Sequence, residues 1–233
     1  MNIISDLLGH VLRIILELVQ DYGLAIIVFT IFVKLLLLPL TIKQTKSTKA
    51  MQDMQPKMQE IQAKYKDKPE KQQQEIMKLY QEYKINPLAG CLPLIIQMPI
   101  LLGLFTVLRE PVASGVFPSD AAFAAADQGF LWAKSLTQPD VILAVLSGAS
   151  TFVMQKLMMP KDQQQGSMQV MTYVMSGMML FWGFTFPAGL TLYWTVGNLF
   201  AIAQQYLVMN PLKAKLANSK EEVINEKNPR NKK

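Results

Sequence analysis

A single lysine, Lys34, lies deep inside an apolar run from Tyr22 to Ile42 that contains no acidic residue. The run is long enough to cross a bilayer. An ionised group at mid-membrane costs roughly 3 kcal/mol on insertion scales, so it usually faces a protein interior or a watery cavity and marks a functional site. Such a cation can attract an anionic group, and we predict a functional site at Lys34.

Snorkelling is the structural alternative, because a lysine stem can lie along its helix and carry the ammonium group to the headgroups. Lys43, the first basic residue beyond the run, follows Lys34 by nine positions. This separation corresponds to about 13 Å at 1.5 Å per helical residue. A lysine stem reaches only about half of that distance, so the spacing argues against snorkelling.

Polar side chains in the apolar runs could line a hydrated cavity together with Lys34. No Asp or Glu lies in the interior of these runs, so the lysine has no partner carboxylate there. Hydrogen bonding between helices is the more ordinary role for such side chains, and both interpretations stay open. The polar residues are Thr30, Gln97, Gln155, Thr191, Asn198, Gln204 and Gln205.

Several kinds of chemistry are not supported by the sequence. It contains no glycine-rich phosphate loop, and the apolar runs offer no base for a serine protease. His10 and Cys91 are single residues of their types, which leaves no histidine-based metal cluster and no internal disulfide. Proton-coupled transport usually needs carboxylates or histidines in relay. We therefore expect no enzyme activity, no cofactor and no metal site.

The composition indicates a polytopic membrane protein. The 233 residues are 51% hydrophobic and 17% charged, and the mean hydropathy is +0.20, so the charge is confined to blocks. We predict an all-α fold with five spans of about 20 residues, at 22–42, 87–108, 139–158, 168–187 and 188–210. The outer loop would be 109–138 and the second cytosolic loop 159–167.

Orientation follows from the basic residues, because cytoplasmic segments carry an excess of them. Ten lie between Lys43 and Lys84 and seven follow Pro211, whereas the opposite side has three. The N-terminus is therefore predicted outside and the C-terminus in the cytosol. The tail 211–233 either only sets topology and solubility or docks a ribosome through Lys213–Lys233.

Residues 1–21 are predicted to form an amphipathic helix in the outer membrane interface, because their apolar residues follow helical spacing. They do not resemble a secretory signal, since charged residues interrupt the apolar core. The polar block 43–86 is predicted to be a cytosolic αα-hairpin with its break before Pro69.

The apolar side chains of this hairpin have two possible roles. Met51, Met54 and Met58 follow steps of three and four, which is usual for a seam between two helices. Methionine is also soft and adaptable, so the same three residues could capture varied apolar clients.

Two ordered motifs resemble the YidC/Oxa1/Alb3 membrane protein insertases. Residues 86–93 (NPLAGCLP) and 97–100 (QMPI) are similar to the second-span signature of that family. Residues 186–194 (FPAGLTLYW), with Asn198 and Gln204, resemble its last hairpin. The similarity extends from about Tyr22 to Pro211.

The resemblance implies five helices around a hydrophilic groove that opens to the cytosol and to lipid. The cation of this groove matches Lys34, where many members carry arginine. Thr30 and Trp194 align with positions linked to client contact, and Tyr193 belongs to the same motif as Trp194. The chain looks like a short form from a bacterium with a single membrane.

The partners implied are nascent membrane proteins and the lipid bilayer, with no DNA. Action beside a Sec translocon stays open. Two other functions also remain: a small-anion channel or carrier with Lys34 as its selectivity charge, and a structural chaperone that assists assembly without insertion.

Overall fold

The computed structural model describes residues 3–83, 92–158 and 167–209. These ranges contain helices and turns, in agreement with the predicted all-α fold. The one β-bridge in them is isolated and joins Phe130 to Ala133. The helices are α1 (Ile3–Val19), α2 (Tyr22–Lys64), α3 (Pro69–Glu82), α4 (Leu92–Arg109), α5 (Asp120–Ala126), α6 (Val141–Met158), α7 (Ser167–Gly183) and α8 (Ala188–Gln204), followed by a π-helical turn, Gln205–Met209.

Two compact units divide the chain, Met1–Gln128 and Gly129–Lys233, referred to below as unit 1 and unit 2. Some segments that the sequence singled out lie outside the described residues. They are residues 86–91 of the second-span motif, most of the loop 159–167, and the tail Lys213–Lys233.

Helix α2 is continuous from Tyr22 to Lys64. Asp21 caps its first turn by accepting a hydrogen bond from the Leu24 N–H at 2.7 Å. The end of the apolar run at Ile42 therefore marks a change in polarity and no break in the helix. The predicted hairpin's first arm is an extension of the apolar helix, because the Gln, Lys, Met and Ala residues that follow are good helix formers.

One helical segment in the described ranges, Tyr22–Gln44, is long and apolar enough to cross a membrane. Only 28% of its most apolar window is buried in the protein, whereas the core helix of a soluble domain would be mostly buried. Ile95–Arg109 and Val141–Leu157 are shorter apolar helices. The count of five spans stays a prediction.

Helix α3 folds back onto the end of α2. It begins at Pro69, which occupies the first turn. The Gln72 side chain donates a hydrogen bond to the Gln62 carbonyl oxygen at 3.0 Å, and the Lys71 ammonium lies 5.5 Å from the centre of the Tyr65 ring. These contacts join the two arms close to the turn.

The other helices of unit 1 surround the start of α2. Helix α1 packs against both α4 and α2 and buries Ser5, Gly9 and Leu12. The Tyr22 ring meets Phe117 and Phe123 edge to face, at centroid distances of 5.2 and 6.3 Å. Since both phenylalanines belong to the segment after α4, this aromatic cluster fixes that segment against the first turn of α2.

Unit 2 is built on α6, which packs against both α7 and α8. A short turn joins α7 to α8. The first two N–H groups of α8 donate to the carbonyl oxygens of Gln138 and Leu136, at 2.9 and 2.8 Å. The segment before α6 therefore satisfies donors that a helix N-terminus would otherwise leave unpaired.

The contact between α6 and α7 requires glycine at position 183. A Cβ there would lie 2.6 Å from the Cβ of Ala144. Since overpacking typically costs about 1–3 kcal/mol, we expect Gly183→Ala to lower the thermal unfolding midpoint of the protein in detergent.

Gly177→Ala on the same helix is the matched control, because a Cβ at position 177 would meet open space. This variant should unfold at or above the wild-type temperature, since alanine is favoured over glycine in helices by about 1 kcal/mol. Equal midpoints for the two variants would contradict the packing described here.

Candidate functional site

Lys34 projects from α2 toward α4. Its Nζ donates a hydrogen bond to Oε1 of Gln97 at 3.5 Å, and the Lys34 side chain is half-buried. No carboxylate of a described residue lies within ion-pair distance of Lys34. A neutral amide at the long end of the hydrogen-bond range neutralises no charge, so the ammonium group keeps its capacity for an external anion.

Thr30 lies one helical turn before Lys34 but uses its hydroxyl within its own helix. The side chain is 0% exposed, and Oγ1 donates to the Ile26 carbonyl oxygen at 2.6 Å. A threonine hydroxyl carries a single proton, so Thr30 has no further donor for a ligand. Contact between Thr30 and a client stays a prediction.

A second polar site in unit 2 centres on the hydroxyl of Thr151. Its Oγ1 lies 2.7 Å from the Ser147 carbonyl oxygen, and it accepts a hydrogen bond from Nε1 of Trp194 at 3.0 Å. The amide of Asn198 completes the cluster. When the amide is oriented so that its oxygen faces the donors, that oxygen lies 3.0 Å from Ser150 Oγ, 2.9 Å from Thr151 Oγ1 and 3.3 Å from Trp194 Nε1. The single hydroxyl proton of Thr151 can serve either this oxygen or the Ser147 carbonyl.

This cluster joins α8 to α6. Trp194 and Asn198 lie one turn apart on α8, and their partners lie on one face of α6. Hydrogen bonds between membrane helices contribute about 0.6 kcal/mol each on average. The arrangement therefore supports the interhelical role for Asn198, whereas the sequence left that role and groove lining open.

Three partners in this cluster were not singled out by the sequence. Ser147, Ser150 and Thr151 follow the spacing i, i+3, i+4, which places hydroxyls on one face of an apolar helix. That spacing was the available signal. It was missed because Ser and Thr also occur singly in apolar helices, where they bond to their own backbone.

The remaining predicted groove residues lie at separate places in unit 2. Gln155 follows Thr151 by one turn of α6 and is partly exposed, whereas Tyr193 is fully buried next to Trp194. Gln204 is the last residue of α8 and is partly exposed. Gln205 is buried at the start of the π-helical turn.

The methionines of the hairpin differ in their exposure. Met54 is 0% exposed. Met58 is partly buried, and its sulfur accepts a hydrogen bond from the Tyr80 hydroxyl at 3.9 Å. The side chain of Met51 lies outside the described part. Burial of Met54 favours the seam interpretation over client capture for this residue, and Met77 on α3 is 46% exposed.

The hairpin also carries cations close to tyrosines. The Lys57 ammonium lies 4.9 Å from the centre of the Tyr83 ring. A hydrogen bond with Tyr83 raises the pKa of Lys57 above its ordinary value. The hairpin therefore presents the positive charge of Lys57 beside the Tyr83 ring.

Metal ligation has no counterpart in the described ranges: no three His, Cys, Asp or Glu side chains there are grouped to hold an ion.

Comparison with known proteins identifies the family. The family model described as 60Kd inner membrane protein matches residues 14–215. Membrane protein insertase YidC of Oceanobacillus iheyensis is 46% identical over 208 residues, which cover 84% of this chain and 77% of that protein. Membrane protein insertase MisCA of Bacillus subtilis is 42% identical over 214 residues, covering 89% and 77%.

A further relative and a solved structure also match this chain. Membrane protein insertase YidC of Fusobacterium nucleatum is 42% identical over 210 residues, covering 89% of this chain and 96% of that protein. The crystal structure of an active YidC insertase with its first transmembrane domain resolved aligns with a TM-score of 0.67 and 29% identity. The alignment covers 89% of this chain and 47% of that one, so this chain spans about half of its length.

The family match covers most of the sequence, and the all-helical fold agrees with a solved member. The resemblance inferred from the two motifs is thereby confirmed: this chain belongs to the YidC/Oxa1/Alb3 family of membrane protein insertases.

Proposed function

We propose that this protein inserts client proteins into the plasma membrane of a bacterium, with its N-terminus outside and its C-terminus in the cytosol. Client polar flanks enter a groove that is open to the cytosol and includes Lys34, and no nucleotide is hydrolysed. The observation that carries the proposal is the Lys34 ammonium group, which lies within an apolar helix and has an amide oxygen at 3.5 Å.

The magnitudes fit a transient contact between Lys34 and a client carboxylate. A buried carboxylate costs roughly 3 kcal/mol on insertion scales. Opposite charges 4 Å apart attract by about 4 kcal/mol at an effective dielectric constant of 20. The two terms nearly cancel, so Lys34 lowers the barrier for an acidic flank without trapping it.

Two further terms drive the client onward. A membrane potential that is positive outside favours outward movement of negative charge by about 2.3 kcal/mol per charge per 100 mV. Burial of the client's apolar helix in lipid contributes more free energy than the membrane potential, and this contribution does not depend on direction. Neither term needs nucleotide hydrolysis.

The exposed side of α6 is suited to guide the client helix into lipid, as proposed for the third and fifth spans together. Its exposed large apolar side chains are Val141, Ile142, Val145, Leu146, Val153 and Leu157, and the exposed Lys156 lies near its C-terminal end. Helix α8 buries most of its residues, although Leu199 is exposed. Helix α6 therefore offers the larger sliding surface of the two.

Reception of the client is assigned to the hairpin of α2 and α3. Because Met54 is buried, capture through it requires the two arms to separate. Met58 and Met77 present apolar surface with the hairpin closed. We also propose that a ribosome docks on Lys213–Lys233 and that the protein acts beside a Sec translocon. Insertion by the purified protein in liposomes, described below, would show that neither partner is required.

The first prediction from the proposed function concerns Lys34 and is measured with the purified protein in liposomes. Lys34→Ala should slow insertion of a client with an acidic N-terminal tail about tenfold, which corresponds to a loss of about 1.4 kcal/mol. Lys34→Arg should be tolerated because it keeps the charge. A client whose tail acids are replaced by Asn and Gln is the matched control and should not distinguish the variants.

The same assay separates the alternative functions. Insertion by the purified protein alone excludes a purely structural chaperone. Rapid flux of small anions through the empty liposomes, lost in Lys34→Ala, would instead favour a channel. Equal insertion of several acidic clients by the wild type and Lys34→Ala would remove the proposed role of the charge.

A second prediction uses Gln97. Gln97→Glu is nearly isosteric and places a carboxylate where the amide oxygen now lies 3.5 Å from Lys34 Nζ. The internal carboxylate should pair with Lys34 and compete with the client, so insertion of the acidic client should fall as it does in Lys34→Ala. Wild-type insertion by Gln97→Glu would show that the client does not use this cation. Gln97→Met, which adds no charge, is the control.

A third prediction concerns the hairpin. A photo-crosslinking residue at position 77 should capture nascent client chains, because Met77 is exposed. The same residue at position 54 should label neighbours within the hairpin. Strong client capture from position 54 with none from position 77 would show that the hairpin opens and uses its seam instead.

A further inference from the structure

A narrow turn near the start of unit 2 holds its backbone in an uncommon conformation. The Phe130 N–H donates to the Ala133 carbonyl oxygen at 2.8 Å, and the Ala133 N–H donates back to Phe130 at 3.0 Å. Between them Leu131 has φ +55°, a left-handed conformation that is rare for a bulky apolar residue. Gly129, which immediately precedes the turn, also has a positive φ, +92°.

The turn exposes its two largest apolar side chains. Leu131 is 73% exposed and Trp132 is 45% exposed. If the turn faced water, Gly or Asn at position 131 would adopt the positive φ with less strain. A polar residue there would also expose less apolar surface to water. Strained backbone conformations cluster at functional sites, so the exposed turn is a candidate for a binding role.

Trp132 is bonded to the residue that precedes α6. Its Nε1 donates to Asp140 Oδ1 at 3.1 Å, and the same oxygen accepts the Leu143 N–H at 2.8 Å. From Val141 to Val153 the exposed side chains of α6 are apolar. The indole is therefore fixed at the level where a polar segment gives way to an exposed apolar helix, and tryptophan is enriched at that level in membrane proteins.

We infer that the turn Phe130–Ala133 is a lipid anchor that binds the interfacial region of a phospholipid leaflet. Leu131 enters the upper acyl chains, the Trp132 ring lies among the glycerol ester groups, and the exposed Lys134 faces lipid phosphate. Asp140 is a positioning residue, because it links the indole to the first turn of α6. The anchor sets the depth of α6 in the membrane and is separate from the client contacts proposed above.

Depth-dependent fluorescence quenching tests the anchor. The chain has three tryptophans, so the signal of Trp132 is obtained as the wild type minus Trp132→Phe in phospholipid vesicles. Lipids brominated close to the ester groups should quench this difference signal more strongly than lipids brominated close to the terminal methyl. Quenching by aqueous acrylamide alone would place the turn in water and overturn the inference.

A blue-shifted difference signal that no brominated lipid quenches would also overturn the anchor, because it would mean that protein covers the turn. Leu131→Asn keeps a residue that tolerates positive φ and removes the apolar contact, so quenching of Trp132 by lipid should decrease. Unchanged quenching would contradict the placement of Leu131.

Asp140→Ala removes the acceptor for the indole N–H, whereas Asp140→Asn retains an oxygen at that place. The alanine variant should lose the depth preference of Trp132 quenching, and the asparagine variant should keep it. Circular dichroism of both variants checks that the helices remain folded. A preserved depth preference in a folded Asp140→Ala would show that Asp140 does not position the anchor.

Discussion

The free-energy cost of holding an ammonium group within an apolar helix is the main constraint on the Lys34 site. Lys34 lies on a helix whose apolar segment is mostly not covered by protein, and a charge at such a depth costs roughly 3 kcal/mol. The Gln97 amide at 3.5 Å offsets only part of this cost. Water or an anion must supply the rest, and we propose that a client carboxylate does so.

The two units use polar groups inside apolar helices in different ways. In unit 2 the Thr151 hydroxyl, the Trp194 indole and the Asn198 amide satisfy one another, so they hold α8 against α6. In unit 1 the Lys34 charge has only a neutral partner among the described residues. A satisfied network stabilises a fixed packing, whereas a partly satisfied charge favours a ligand that comes and goes. This contrast separates the structural polar residues from the one proposed to contact clients.

Parts of the fold and of the candidate site could be predicted from the sequence because they follow from local patterns of residues. The apolar runs gave the all-α fold, Pro69 gave the start of α3, and the lone charge of Lys34 gave the candidate site. The pairing of Lys34 with Gln97 joins residues 63 positions apart, which no local pattern encodes. The continuity of α2 beyond Ile42 was missed because a change in polarity resembles a helix end. The conformation of Leu131 was unforeseen, since leucine rarely adopts a positive φ.

Covalent capture of the contact between Lys34 and a client measures the central claim most directly. A carbodiimide joins a carboxylate to an amine only when the two groups touch, so it can be applied to an insertion intermediate carrying an acidic tail and the product mapped by mass spectrometry. If Lys34 contacts the client, an amide bond is expected between a tail carboxylate and Lys34 Nζ. Coupling of the tail to the hairpin lysines alone, with none at Lys34 in an intermediate that proceeds to full insertion, would contradict it.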